Sequence, residues 1–156
     1  MKFALSATLL SLASLALSAS VPPSQQCSQA TRFGVASVSP NGTTLNADLF
    51  IQKISINVNF SCGIQQFNIV PKYLDYYLEV QEGNNGHQPP ILLARREFKT
   101  GATSDSFTVK IPHGYFFPNA KNVVAIWNTY TTKGTDGSNV FVKGGVFVPI
   151  NINATV

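Results

Sequence analysis

The sequence predicts an all-β domain, an Ig-like antiparallel β-sandwich of about seven strands. Short segments in which apolar and polar residues alternate recur along the chain, and clusters rich in Gly, Pro and Asn separate them. No segment shows the sustained 3.6-residue apolar period of a capped amphipathic helix. A small barrel is the alternative architecture for strands of this length and spacing.

Three segments, residues 51–60, 74–80 and 106–112, alternate between apolar and polar residues in the way expected of strands with one buried face. In residues 74–80 the outward phase consists of Asp75, Tyr77 and Glu79, which are predicted to keep that face of the sheet solvated. Residues 32–38 and 91–98 have a weaker strand pattern. The apolar residues predicted to face inward are Ile54, Ile56, Val58 and Phe60, then Leu74, Tyr76, Leu78 and Val80, then Phe107, Val109 and Ile111.

Two segments depart from simple alternation. Residues 122–130, NVVAIWNTY, are apolar in both phases over their first half. This is typical of a central strand covered on both sides, or of one whose outer face meets something else. Residues 139–152, NVFVKGGVFVPINI, form one long predicted strand, in which Gly144 and Gly145 are expected to introduce a bulge or bend.

Residues 1–20, MKFALSATLLSLASLALSAS, have the pattern of a secretory signal peptide. One lysine precedes an uncharged apolar run that is short for a bilayer span, and small residues follow it as a cleavage site. We expect residues 21–156 to form a single domain, because that length suffices to bury a core. No second apolar stretch of membrane-spanning length follows, so the mature protein is expected to be secreted and soluble.

Cys27 and Cys62 are expected to pair, because the chain enters an oxidising compartment and only one connectivity exists. The bond would tie the N-terminal arm to the domain, and the absence of a C-x-x-C spacing argues against a redox role. Sequons at Asn41, Asn59 and Asn153 predict N-glycosylation of exposed asparagines, at one or two of these positions.

The chain has a mild positive charge, with 11 Lys and Arg against 7 Asp and Glu. These charges are scattered apart from the pair Arg95 and Arg96, and no basic stripe is interleaved with aromatic residues on one element. The pattern therefore argues against nucleic-acid binding. A positive charge favours association with acidic polysaccharide or cell surfaces, although this spacing is also that of ordinary solvated faces.

No arrangement of residues predicts catalysis or a metal site. His87 and His113 lie in loops without the spacing of metal ligands, and no cofactor is expected. No G-x-S-x-G nucleophile elbow is present. Asp75 and Glu79 share a strand face, but a solvated face lacks the dry pocket that raises a carboxyl pKa for acid catalysis. We therefore expect a protein without enzymatic activity.

Aromatic side chains are the candidates for ligand binding, since rings in a β-sandwich bind sugars by stacking on pyranose faces. The segment IPHGYFFPNA, residues 111–120, places three aromatics between two prolines. Such a loop either exposes its rings as a platform or folds them beneath the sheet edge, and Tyr115 is the ring most expected to emerge. The candidate binding residues are Tyr115, Phe116, Tyr77 and Trp127.

Parts of the sequence resemble the Kre9/Knh1-type Ig-like domains of fungal secreted and cell-wall-associated proteins. VSPNGTTLNADLFIQKISINVNF is similar to the family's opening strands, DSFTVKIP to a later strand, and NVVAIWNTYTTKGTDGSNVFVKGGVFVPI to its final hairpin. Phe60 stands where the family commonly has a tryptophan. The Ser/Thr-rich stalk and anchor signal that are frequent in the family are not seen in this sequence. The resemblance implies a secreted fungal β-sandwich linked to β-glucan assembly or display in the cell wall, and it implies no catalytic residues.

These features predict a secreted, non-catalytic binding protein of the extracellular surface or cell wall, with β-glucan or another cell-wall polysaccharide as partner. One alternative is a secreted effector that binds another protein through edge strands or end loops. Another is a small lipid-binding sandwich with a cavity between splayed sheets, lined by residues such as Phe107 and Ile126. The sequence leaves the oligomeric state open.

Overall fold

The structure is a computed structural model that describes residues 27–41, 44–46, 52–112 and 116–153. The predicted signal peptide, residues 1–20, and two predicted loop residues, His113 and Tyr115, lie outside the described residues. The described chain is mostly β-strand, which confirms the all-β class. Its elements are a 3-10 helix at Gln29–Thr31, β1 (Val35–Ser39), β2 (Thr44–Asn46), β3 (Lys53–Asn59), α1 (Ser61–Phe67), β4 (Pro71–Val80), β5 (Ile91–Glu97), β6 (Ser104–Lys110), β7 (Asn122–Lys133), β8 (Asn139–Pro149) and β9 (Asn151–Asn153).

The strands form two antiparallel sheets and one short parallel pair. A three-stranded sheet has the order β1-β3-β6, and a four-stranded sheet has the order β5-β4-β7-β8. β2 pairs with β9 in parallel. Among these seven sheet strands, the chain changes sheet after β3, after β5 and after β6, so each sheet contains strands from both halves of the chain.

The hydrophobic core lies between the two sheets, as in a β-sandwich. The inward phases predicted from the alternation are confirmed, since Ile54 and Ile56 of β3 and Leu74 and Leu78 of β4 are all fully buried in one cluster. Removing such side chains from water is the main favourable contribution to folding. The segment 122–130 lies in β7, between β4 and β8, and is therefore a central strand as its composition predicts.

A partly buried polar network connects the two sheets. The Tyr76 hydroxyl, on a fully buried ring, donates a hydrogen bond to Asp105 of β6 over 2.8 Å. Asp105 also accepts two hydrogen bonds from the Arg96 guanidinium, at 2.7 and 3.0 Å. Burial raises the pKa of Tyr76, and the hydrogen bond to Asp105 raises it further. The network therefore holds β4 and β5 of one sheet to β6 of the other.

The helix α1 was not predicted from the sequence, because its seven residues are too few to show a repeating apolar period. It ends at Asn68, which adopts a left-handed conformation with a φ of 53°, and the Ile69 N–H donates to the Gly63 carbonyl over 2.8 Å. A Cβ at position 63 would lie 2.6 Å from the Arg32 carbonyl oxygen, so this turn of the helix requires glycine. No helix within the described residues has the length and apolar composition needed to cross a membrane.

Cys27 and Cys62 form a disulfide bond in the structure, in agreement with the predicted pairing. Cys62 lies in α1, and the Cys27 N–H donates to Oε1 of Gln66 in the same helix over 3.1 Å. Since α1 connects β3 to β4, the bond ties the N-terminal arm to the point where the chain passes from one sheet to the other.

The bulge or bend predicted at Gly144 and Gly145 is wrong. β8 runs without interruption and keeps a continuous register with β7 through both glycines. Aromatic rings explain the glycines instead, because a Cβ on Gly144 would lie 2.3 Å from the Phe33 ring and a Cβ on Gly145 would lie 2.7 Å from the Trp127 ring. A glycine inside a strand is compatible with a close approach as well as with a bulge or bend.

Candidate functional site

The outer faces of the two sheets differ in chemistry. Alternate residues of a strand point away from the core, and on β3 and β6 these are small, polar or basic. The hydroxyls of Ser55 and Thr108 lie 2.9 Å apart across the two strands. We call this surface the polar face, and its composition is that of a sheet surface covered by water. It consists of Lys53, Ser55, Asn57, Asn59, Ser104, Ser106, Thr108 and Lys110.

The outer face of the four-stranded sheet carries aromatic side chains instead. Trp127 of β7 lies opposite Gly145 of β8, while Tyr77 and Phe147 lie on either side of Ala125 in the neighbouring register positions. Because alternate residues share a face, all of these side chains point away from the core. We call this surface the aromatic face, and its rings are Tyr73, Tyr77, Trp127, Phe141 and Phe147.

Trp127 is held in place by its neighbours on β8. The six-membered part of the indole lies against the backbone of Gly145, which is the position where any larger side chain would collide with it. The Phe147 ring meets the indole edge-on, with 5.2 Å between centroids and an angle of 85° between planes. Edge-to-face pairs of this geometry are stabilising. The ring is therefore oriented by packing while remaining partly exposed.

Lys143 brings a positive charge over the rings of the aromatic face. Its ammonium nitrogen stands 4.5 Å from the Trp127 ring centroid and 5.9 Å from that of Tyr77, within the range of cation–π attraction. Glu79 is half-buried on the same face. Burial raises the pKa of Glu79, and the charge of Lys143 opposes this shift.

Asp75 is buried on this face rather than solvated, contrary to the sequence-based expectation. Its carboxylate accepts two hydrogen bonds from the Arg95 guanidinium, at 2.6 and 2.9 Å. These bonds raise the pKa of Arg95, and Tyr77 adds to the effect. The pair is a fixed fork-to-fork ion pair, in which both carboxylate oxygens are engaged. Among the described residues, no three His, Cys, Asp or Glu side chains gather as metal ligands would.

The aromatic face continues towards the other end of β8. Tyr73 is 39% exposed and Phe141 is 58% exposed, so both rings are available to a ligand. The register between β4 and β7 shifts between Pro71 and Tyr73. Beside this irregularity, the Lys72 ammonium stands 5.3 Å from the Tyr73 centroid and 4.9 Å from the Phe141 centroid. A second lysine is thus shared between two rings.

The predicted aromatic loop does not join this surface in the described residues. Phe116 is 4% exposed and packs in the core, so its ring is not presented to a ligand. Phe117 lines a cavity of about 480 Å³ between the β4–β5 and β6–β7 loops, with the His87 ring 6.1 Å away. An ion pair between Lys121 and Glu82 lies at the same cavity. Of the three candidate residues that the structure describes, Trp127 and Tyr77 lie together and Phe116 lies apart from them; Tyr115 is outside the described residues.

All three predicted glycosylation sites are exposed: Asn41, Asn59 and Asn153. Asn59 lies on the polar face, where its side-chain oxygen accepts a hydrogen bond from the Ser61 N–H over 2.8 Å. A glycan on Asn59 would therefore extend from the surface opposite to the aromatic face and would leave that face uncovered.

Sequence reasoning missed two rings of the aromatic face, Phe141 and Phe147, and the lysine beside them, Lys143. The signal that would have found them is the alternation within NVFVKGGVFVP, where Phe141, Lys143, Gly145 and Phe147 share one phase. From the sequence, this segment is predicted only as one long strand with a bulge or bend at its glycines, and its aromatic residues are not connected with Trp127.

Gly145→Ala is expected to displace the Trp127 ring from its packed position against the backbone of β8. The variant should have a free energy of unfolding about 1–3 kcal/mol lower, because the new methyl group overpacks the site. Trp127 is the single tryptophan of the chain, so fluorescence emission reports on this ring alone. We expect the emission maximum of the variant to shift to longer wavelength as the ring becomes more exposed.

Gly144→Ala is the matched control for this experiment. Its methyl group would press on Phe33, on the opposite side of β8 from the indole, so it should cost stability and leave the emission maximum unchanged. Identical emission spectra for wild type and Gly145→Ala would contradict the described seat of Trp127.

Comparison with models of known protein families finds no match, and comparisons with curated proteins and with solved structures likewise find none.

Proposed function

We propose that the protein is a secreted, non-catalytic binding protein that holds a polysaccharide of the extracellular surface or cell wall on its aromatic face. The observation that carries the proposal is the Trp127 indole, seated on Gly145 with Phe147 and Tyr77 beside it on an outward sheet face. Rings of this kind stack on the apolar faces of pyranoses, and neighbouring polar groups fix the orientation of the sugar. The resemblance to fungal wall-associated domains makes β-glucan the first ligand to test.

The shape of the face favours a chain of sugars over a single sugar. From Phe141 to Phe147 the face follows β8 over about 20 Å, at about 3.3 Å per residue, which is the length of several sugar units. Three aromatic rings lie on neighbouring strands within this stretch, and Arg95, which is exposed and held by Asp75, supplies a polar group at its border. A sheet surface also lacks the steep walls that would exclude a polymer.

The order of the strands supports the proposed Ig-like sandwich. In that fold, strands A, B and E share one sheet, and strands C, F and G share the other, with C′ as an addition at the edge beside C. The observed orders β1-β3-β6 and β5-β4-β7-β8 are compatible with this arrangement if β1, β3 and β6 correspond to A, B and E, and β4, β7 and β8 to C, F and G. β5 would then correspond to C′. On this proposal, the aromatic face is the outer surface of the C′-C-F-G sheet.

A protein partner is the second candidate, and the exposed end of β8 favours it. β8 is at the edge of its sheet, and Val140 and Phe141 are 40% and 58% exposed there. An open edge strand with apolar side chains is able to pair with a strand of another protein. The lipid alternative receives no such support, because Phe107 packs on Tyr76 at 4.7 Å between centroids and Ile126 is fully buried.

Trp127→Ala is expected to weaken retention on insoluble β-glucan and on chitin by about tenfold or more, since loss of one stacked ring removes about 1.5 kcal/mol of binding energy. The measurement is a pull-down in which bound and free fractions are quantified for wild type and variant. Tyr77→Ala is expected to act in the same direction with a smaller effect.

Asn57→Ala on the polar face is the matched control and should bind as the wild type does, because it lies on the opposite surface of the molecule. Thermal denaturation of each variant establishes that it is folded at the temperature of the assay. Failure of the wild type to bind any polysaccharide, or equal binding by folded Trp127→Ala, would overturn the proposal and leave the protein partner as the function to pursue.

A further inference from the structure

The aromatic face carries two lysines that stand over its rings. Lys143 covers Trp127 and Tyr77, and Lys72 covers Tyr73 and Phe141, each at cation–π distance from both rings. Any sugar that stacks on these rings therefore meets an ammonium group at the place of stacking.

Neither lysine forms an ion pair in the described part of the chain, whereas Arg95, Arg96 and Lys121 each do. Both lysine side chains belong to exposed residues, so their charges are available to a partner in solution. An ammonium group has three N–H donors, so a lysine that rests on an aromatic ring still has donors to offer to an additional acceptor.

The carboxylates of the same face leave this positive charge largely in place at the rings. Asp75 is buried and neutralised by Arg95. Glu79 is half-buried and interacts with the charge of Lys143, but the two side chains do not form an ion pair. Glu97 is exposed, but it lies on the edge strand β5, opposite Tyr73.

A neutral sugar and an acidic sugar differ in what they do with these ammonium groups. Any pyranose that stacks on these rings has to displace the lysine, and the cation–π contact is lost. A sugar with a carboxylate or sulfate group offsets this loss, because it accepts a charge-assisted hydrogen bond from the displaced lysine, whereas a neutral sugar offers only an uncharged acceptor. The chemistry of the face thus discriminates in favour of the anion.

Building on the function proposed above, we propose that the aromatic face takes an acidic polysaccharide. Its pyranose rings stack on Trp127 and Tyr77, and its carboxylate or sulfate groups accept hydrogen bonds from Lys143 and, further along the polymer, from Lys72. The regular spacing of charges along such a polymer suits two lysines placed at different points of one extended face.

The test compares four soluble probes by quenching of Trp127 fluorescence: polygalacturonate oligomers, a sulfated glycan, neutral β-glucan oligomers and chitin oligomers. Wild type is compared with Lys143→Gln, Lys143→Arg and the control Lys110→Gln, which removes an equal charge from the polar face. We expect Lys143→Gln to weaken binding of an acidic probe by about tenfold, Lys143→Arg to restore it, and Lys110→Gln to leave it unchanged. Raising the salt concentration should weaken binding of the wild type.

The two acidic probes distinguish a carboxylate ligand from a sulfate ligand, and preference for either one supports the inference. Equal or tighter binding of neutral probes, unaffected by Lys143→Gln, overturns the acidic ligand and leaves polysaccharide binding intact. An equal loss of affinity in Lys110→Gln shows that net charge alone drives binding, which also overturns the inference. Absence of binding to all four probes overturns both the inference and the proposed function.

Discussion

Replacing Cys27 and Cys62 together by alanine is expected to lower the free energy of unfolding by about 3–4 kcal/mol. The two cysteines are 35 positions apart, and the chain-entropy model assigns this gain to the freedom that the unfolded chain recovers when a loop of that length is opened. For a domain of this size, the melting temperature should fall by about 10 °C or more. Thermal and urea denaturation of the variant and the wild type measure both quantities.

Two controls make this result specific to the bond. The wild type under reducing conditions should have the same melting temperature as the double variant. Ser28→Ala, next to the bond, should have the same melting temperature as the oxidised wild type. The aromatic face contains neither cysteine, so polysaccharide affinity below the melting temperature should be unchanged. A difference of less than 1 kcal/mol between variant and wild type would show that packing of the N-terminal arm, without the bond, holds α1 in place.

The fold was predictable to the extent that burial follows a local period. Alternation identified the inward faces of β3 and β4, and the lack of alternation identified β7 as the central strand. α1 was missed because its seven residues complete only about two helical turns, which are too few to show a repeating apolar period. Gly145 was misread because a glycine within a strand is compatible with a bulge and with a ring lying against the backbone, and the ring belongs to another strand.

The site was predictable only in part, because a binding face is assembled across strands. Trp127 and Tyr77 were predicted as binding residues because aromatic rings stack on sugars. Their contact with Lys143 depends on the register of β4, β7 and β8, which a single sequence does not specify. Asp75 shows the same limit. Its phase was predicted correctly but its burial was not, and its partner Arg95 comes from the adjacent strand β5.

Asp105→Ala is expected to lower the free energy of unfolding by about 3 kcal/mol. The Tyr76 hydroxyl is fully buried and would lose its acceptor, and an unsatisfied buried donor costs about 1–3 kcal/mol. Arg96 would lose a bidentate partner, but its side chain is 37% exposed, so water takes up part of that loss. Urea denaturation measures the change, and Glu97→Ala, an exposed carboxylate on β5, serves as the control with an expected change under about 0.5 kcal/mol.

Tyr76→Phe separates the contributions within this network. It removes the buried donor and leaves Asp105 paired with Arg96, so it should cost only about 1 kcal/mol, and Asp105→Ala should cost less in its background than in the wild type. Alkaline pH gives an independent measurement, because burial and the hydrogen bond to Asp105 raise the pKa of Tyr76 in the folded protein. Above pH 10.0, the ordinary pKa of tyrosine, the unfolded chain releases this proton while the folded protein retains it, so the free energy of unfolding of the wild type decreases as the pH rises. Tyr76→Phe has no such proton to release, so it should lose less stability than the wild type over the same pH range. Parallel pH profiles for the two proteins, together with additive stability costs of Tyr76→Phe and Asp105→Ala, would contradict the coupling of Tyr76 to Asp105.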